Sequence, residues 1–213
     1  MDGPPFRDRT DAGDRLAADL LARGVEADVV LAIPRGGLPL GRAVADALDA
    51  PLDVVVAKKI GAPGNPEYAI GAVASDGSVW RNEHALGSGT VDETYFERER
   101  DRVAEQAREK ASRYRDGDVE PDVAGKRVVL VDDGVATGST VRACLRQLAN
   151  GGATRVVLAI PVGPPDTVDA LAEHADDVVC LERPRRFQAV GQFYDRFAQV
   201  TDEEALTYLD AGH

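Results

Sequence analysis

Five blocks of the chain are almost wholly apolar and only five or six residues long. They are D-V-V-L-A-I at 28–33, L-D-V-V-V-A at 52–57, R-V-V-L-V-D at 127–132, R-V-V-L-A-I at 155–160 and D-V-V-C-L at 177–181. Short runs rich in β-branched residues, without polar alternation, predict strands buried on both faces, as in a parallel sheet. Helical spacing fills the gaps. A helix begins near residue 10, with Thr10 or Asp11 as its N-cap, Leu16, Leu20 and Leu21 on one face, and Gly24 as its stop. Others run from the Pro34-Arg35-Gly36-Gly37 turn to about Ala50, over 139–150 with Gly151-Gly152 beyond, and near 166–175. Strands alternating with helices predict an α/β fold: an open, mostly parallel sheet with flanking helices. Ligands of such sheets lie at the carboxyl ends of the strands. The loops after Ile33, Ala57, Asp132 and Ile160 are therefore the candidates for chemistry.

Residues 69–115 break the alternation. A-I-G-A-V-A-S and V-W flank Asp76-Gly77, a two-residue hairpin signal. Residues 92–115 are strongly charged, with Phe96, Val103, Ala107, Ala111 and Tyr114 at helical spacing, which predicts a long surface helix. G-A-P-G-N-P-E-Y at 61–68 predicts a loop framing the pocket. No Ser/Pro-rich linker or repeat divides the chain, so 1–213 is expected to form one domain, with an insertion at about 69–115 and a C-terminal segment from about 183. Gly87-Ser88-Gly89 is the nearest thing to a break, and it is too short for a linker.

Composition narrows the function. With 213 residues, 44% of them apolar, the chain can bury a substantial core. Its net charge is −12, and lysine occurs only at 58, 59, 110 and 126. A surface that neutralises nucleic-acid phosphates normally carries a basic patch, and no Lys/Arg run here exceeds a few residues. An acid-heavy, lysine-poor coat instead suits a protein that must stay hydrated in concentrated salt. The opening residues lack a signal peptide's apolar core and no run reaches membrane-spanning length, so a cytoplasmic protein is expected. Cys144 and Cys180 fall in a helix pattern and a strand pattern, which suggests buried thiols rather than a disulfide or a metal site. His84 and His174 have no metal-ligand or triad spacing.

One stretch carries the chemistry: V-V-L-V-D-D-G-V-A-T-G-S-T at 128–140. Asp132 and Asp133 end an apolar strand, and adjacent like charges have no obvious use in folding. Gly134 and Gly138 permit tight backbone and close ligand approach. Thr137, Ser139 and Thr140 bring hydroxyls, and the helix starting near Ser139 directs unpaired N–H groups and its dipole into the loop, an arrangement suited to a phosphate monoester. The carboxylates would repel that phosphate, so they should face another part of the ligand. Vicinal ribose hydroxyls fit, with a magnesium ion bridging what remains. An Asp-rich turn that merely caps a helix is the plainer alternative, and the order of strand, acidic pair, loop and helix weighs against it. A P-loop would need a lysine after Gly138, no G-x-G-x-x-G follows the first strand, and no G-x-S-x-G occurs.

This stretch resembles the phosphoribosyl pyrophosphate (PRPP) signature of type I phosphoribosyltransferases. The resemblance implies that Asp132 and Asp133 bind the ribose 2- and 3-hydroxyls, directly or through water on Mg2+. It puts the 5-phosphate among Ala136, Thr137, Gly138, Ser139 and Thr140, with Gly134 and Val135 also expected to bind substrate. I-P-R-G-G is similar to the family's pyrophosphate loop, with Arg35 as a bidentate donor and Gly36-Gly37 exposing amides. Lys58-Lys59 follows the second strand at the same sheet edge; one lysine is expected to reach pyrophosphate and the other to be solvated or paired. The tail around Phe187, Val190 and Gly191 is similar to the hood of oxopurine phosphoribosyltransferases, where an aromatic ring stacks on the base. Packing of Phe187, Phe193 and Phe197 against the core is the plainer reading of the same residues. The insertion takes the place of the family's mobile closing loop, which keeps water from the reacting carbon.

The family's reaction transfers the phosphoribosyl group of Mg-PRPP to a nitrogenous base, releasing pyrophosphate, and Asp132, Asp133 and Arg35 are the expected participants. One position departs from the oxopurine enzymes. Ala136 stands where they carry an acid in the loop, which leaves the base open and Glu67 as the remaining proton-transfer candidate. The alternative is a non-catalytic regulator that senses PRPP or a nucleotide on the same scaffold. A hydrolase lacks a recognisable nucleophile and base. Homodimers are common among similar proteins, and this sequence shows no interface pattern of its own.

Overall fold

A computed structural model describes residues 5–87, 91–115 and 120–210. Ser88 and Gly89 of the short glycine loop, and the first four residues, lie outside them. The centre is a five-stranded sheet with every strand parallel. Its strands are β1 (Val29–Ala32), β2 (Leu52–Val54), β6 (Arg127–Val131), β7 (Arg155–Val162) and β8 (Asp177–Glu182), in the order β2-β1-β6-β7-β8. The register aligns Val30 with Val129 and Val129 with Val157, and likewise Leu31, Leu130 and Leu158 one position on. Side chains alternate across a sheet, so these rows point to opposite faces. The valine row packs with α1 (Arg9–Ala22) and α2 (Gly37–Leu48). The leucine row packs with α5 (Ser139–Asn150) and α6 (Pro165–Leu171). Covered on both faces, the strands can be apolar throughout, as their sequences are.

Several boundaries differ from expectation for local reasons. The first helix is capped by Asp8, whose carboxylate accepts from the Asp11 N–H, rather than by Thr10 or Asp11. Gly24 does follow its end, at φ +67. The fourth flanking helix stops at Leu171, and residues 172–175 form a turn into β8.

The block 52–57 is not one strand. Leu52–Val54 pairs with β1, the chain then passes the sheet's carboxyl end, and Ala57 opens β3 (Ala57–Ala62) in a second, antiparallel sheet. Val55 still donates to Ala32 O, while Val56 O accepts from Ser75 N, so neighbouring residues serve different sheets. The second sheet runs β3-β4-β5, with β4 at Asn65–Ala74 and β5 at Val79–Arg81. The segment 61–68, expected as a loop, is mostly strand around the Pro63-Gly64 turn. The Asp76-Gly77 hairpin forms as expected, with Gly77 at φ +90.

After a short helix, α3 (Glu83–Leu86), the long charged helix is α4 (Glu93–Ala111). It lays Phe96, Val103 and Ala104 on Ile60, Ile70 and Val73 of the hairpin, while Ala107, Ala111 and the nearby Tyr114 meet Leu38, Val54 and Val56. The insertion is thus a packed layer over the carboxyl end of the parallel sheet. The tail contains a 3-10 turn, Val190–Phe193, and α7 (Asp202–Asp210), whose Ala205 and Leu209 join the same group as Ala107 and Val56.

Candidate functional site

The loop after β6 follows the backbone that its sequence demands. Gly134 adopts φ +145, and a Cβ there would come within 2.7 Å of Val190 Cγ1 and 2.9 Å of Val162 Cγ1. Gly138 sits at φ +72 immediately before α5, with no side chain capping the helix. The loop is held from outside: Thr167 Oγ1 donates to Ala136 O at 2.9 Å, and Arg142 Nη1 donates to Thr137 O at 2.7 Å. Thr137 and Ser139 hydroxyls lie 3.3 Å apart. Asp132 and residues 134–141 enclose a cavity of about 120 Å³, on to which the first turn of α5 opens. That is roughly four waters' worth of space, enough for a phosphate group.

The two aspartates differ. Asp132 lines the cavity, and its Oδ1 accepts from the Asp133 N–H at 2.9 Å. Asp133 turns to the other side of the strand end, where Arg9 Nε donates to its Oδ2 at 2.8 Å with both side chains 15% exposed or less. Arg9 also donates to Ala198 O and lies over the Phe197 ring, and Tyr194 OH donates to Asp133 O at 2.6 Å. Burial and the Asp133 charge push the Asp132 carboxyl well above the usual range, against the pull of Lys110 and Arg9. Burial also raises Asp133, with Arg9 opposing it.

Gly36 and Gly37 allow a close approach between two loops. A Cβ on Gly36 would fall 2.0 Å from Asp133 Oδ2, and one on Gly37 would fall 2.7 Å from Val131 O. The Gly37 N–H is bonded to Ile33 O at 3.0 Å. The glycines bring the 34–37 turn, whose Pro34–Arg35 peptide is cis, against the acidic pair.

Arg35 opens into a second cavity, about 420 Å³, with Lys58, Lys110, Arg113, Gln106, Glu109, Tyr114 and Asp202 around it. Four cations face two carboxylates there, in a protein that is strongly acidic as a whole. Strand alternation separates the lysine pair. Lys58 faces this cavity and donates to Gln106 Oε1 at 3.1 Å, whereas Lys59 pairs with Glu67 on the outside. Glu67, 88% exposed at its side chain, lies in that outer pair. Lys110, Arg113, Tyr114 and Asp202 were not legible as site residues: on α4, Lys110 sits among surface charges, and only the packing of the insertion turns it inward.

Phe187 is half-buried, its ring 5.2 Å from that of Phe193, and it packs beside the α1–α2 face of the core. Cys144 and Cys180 are unpaired thiols, and burial pushes Cys180 up to about 11. Among the described residues, no group of three or more His, Cys, Asp or Glu is arranged to hold a metal by itself. No helix among the described residues is long and apolar enough to cross a membrane.

The chain matches the phosphoribosyl transferase domain family over residues 7–196. It is 43% identical over 209 residues to a Mycobacterium tuberculosis protein provisionally named a phosphoribosyl transferase, covering 98% of this chain and 47% of that protein. The chain thus spans about half the length of the curated relatives it matches. The crystal structure of TT1426 from Thermus thermophilus superposes with a TM-score of 0.81 at 45% identity, over 96% of this chain and 97% of that one. AQ2163 from Aquifex aeolicus shares the fold at a TM-score of 0.54 and 13% identity, over 88% of this chain and 85% of that one.

Proposed function

The chain belongs to the phosphoribosyl transferase domain family, and on that premise we propose that it binds PRPP and transfers the phosphoribosyl group to a nitrogenous base. The observation that carries this reading is the position of Asp132. It lines the small cavity at the start of α5, and its backbone lies against the 34–37 turn whose Arg35 lines the basic cavity. A ligand with a phosphate at one end, a pyrophosphate at the other and a diol between them matches that order.

In this reading the 5-phosphate is held by the N–H groups of the first α5 turn and the Thr137, Ser139 and Thr140 hydroxyls. Asp132 accepts from a ribose hydroxyl. Asp133 offers the ring its remaining oxygen while Arg9 holds the other, since a carboxylate has lone pairs for both. Arg35 and Lys58 bind the pyrophosphate. A base nitrogen attacks C1 as the C1–O bond to pyrophosphate breaks, and the electron pair leaves with the pyrophosphate. The protein acts by alignment and by charge placed where charge develops. Magnesium is coordinated by few protein carboxylates and several phosphate oxygens, so Asp132 with the ligand's own oxygens would suffice to hold it. When bound, the ion would neutralise the departing pyrophosphate.

Calorimetry with Mg-PRPP tests the site: binding is expected for the wild-type chain and is largely lost in the folded Asp132→Asn/Asp133→Asn double variant. Unchanged affinity in that variant removes the assignment. Incubation with PRPP and a panel of bases at several salt concentrations then tests transfer. Pyrophosphate release with any base establishes it, and silence across the panel from a chain that binds PRPP makes it a sensor.

A further inference from the structure

The basic cavity draws on an element outside the parallel sheet. Arg35 comes from the turn after β1 and Lys58 from β3, while Lys110 comes from the inserted helix α4. Lys110 is partly buried and donates to Pro34 O at 2.7 Å, so it grips the turn that carries Arg35. An ammonium has three donors. Among the described residues, that carbonyl is its one hydrogen-bond partner.

Asp132 from the loop after β6, Lys58 from β3 and Arg35 from the β1–α2 turn all act on the Lys110 charge. Glu109, Arg113 and Tyr114 line the cavity from its own end of the helix, and Asp202 from α7. Three cations converging in a partly buried space repel one another and lose hydration. A buried clasp for a carbonyl does not require that arrangement, whereas a polyanion makes it favourable.

We infer that Lys110 is a third pyrophosphate-binding residue, supplied by the insertion, which also positions Arg35 through its bond to Pro34 O. This rests on the reading of the basic cavity as the pyrophosphate site. It assigns the insertion a direct share in holding the leaving group, besides covering the sheet edge.

Calorimetry with inorganic pyrophosphate, and separately with ribose 5-phosphate, distinguishes the alternatives. Lys110→Met should weaken pyrophosphate about 10- to 100-fold, the effect of losing one hydrogen bond to a charged group. Ribose 5-phosphate should be unaffected within about twofold, and Lys110→Arg should recover most of the lost affinity. If Lys110→Met unfolds, Lys110→Gln, which keeps an N–H donor without the charge, replaces it in the same comparison. Unchanged pyrophosphate affinity in a folded variant overturns the inference alone, as does an equal loss for both ligands, which marks a structural clasp. A wild-type chain that binds ribose 5-phosphate but no pyrophosphate overturns the reading of the cavity, and the inference with it.

Discussion

Asp132 and Asp133 are neighbours in sequence with opposite fates. One stands open to a cavity with a raised pKa, and the other is clamped by Arg9 at 2.8 Å. For Asp132 the folded chain keeps its proton to higher pH than the unfolded chain does. Its contribution to stability is therefore complete below the ordinary carboxylate range and is lost as pH rises through the elevated folded value. Once ionised, the buried group is a net cost to the fold, of the kind that binding sites commonly carry. Asp132→Asn should raise Tm at neutral pH, because the variant has no buried carboxylate to desolvate beside Asp133. The difference should shrink as pH falls through the elevated folded value and vanish below about pH 4, where the unfolded carboxyl is protonated as well. Thermal denaturation across that range checks it, and a less stable Asp132→Asn chain at neutral pH would show that the carboxylate is favourable as it stands.

Elements meet the site through their ends. α4 closes the basic cavity with Lys110, and α7 enters it from the tail, where Asp202 accepts from Tyr114 OH at 2.7 Å and from Arg35 Nη1 at 3.3 Å. Tyr114 first, then Arg35 and Arg113, hold the Asp202 carboxyl below its usual range. That carboxylate takes up part of the positive charge that the proposed pyrophosphate would use. Asp202→Asn should accordingly tighten inorganic pyrophosphate binding, by at most about fivefold given that this pair is partly solvent-screened. Titration of the two chains at equal ionic strength decides it; equal or weaker affinity in the variant would mean that Asp202 supports Arg35 rather than competing for it. At the other end of the tail, Tyr194 and Ala198 bind Asp133 and its arginine. The tail therefore helps to hold Asp133 in place, independently of Phe187.

Over the whole molecule, the charge of −12 is spread on a surface where arginines repeatedly pair with carboxylates, as at Arg127 with Asp28 and Arg81 with Glu93. Exposed pairs contribute about 0–1 kcal/mol each and weaken with salt. The excess negative charge repels itself, and salt relieves that repulsion over a Debye length of about 10 Å at 0.1 M. The second effect should win: Tm is expected to rise as KCl goes from about 0.1 to 2 M, the upper end screening to roughly a third of that length or less. A falling Tm would mean that the ion pairs dominate. The basic cavity is then a local reversal of the global field, so anion binding there should be weaker at high salt even as the fold gains stability.

Much of the architecture was legible from the order of apolar blocks, because a strand buried on both faces has no polar positions to confuse the pattern. α5 begins and ends where its spacing and flanking glycines said, and the acidic pair, glycine-hydroxyl loop and helix start lie in the order that the sequence states. What the linear pattern could not hold was direction. Val55 and Val56 look alike as letters, yet one hydrogen-bonds to each sheet. Asp133 faces Arg9 from 124 residues away, and Lys110 reads as one charge among many until α4 packs on β3 and turns it inward. Short-range order follows from local backbone and burial preferences that each residue carries with it. Which side a carboxylate faces, and which lysine is enclosed, depends on partners distant in the chain, and only the folded molecule brings those partners together.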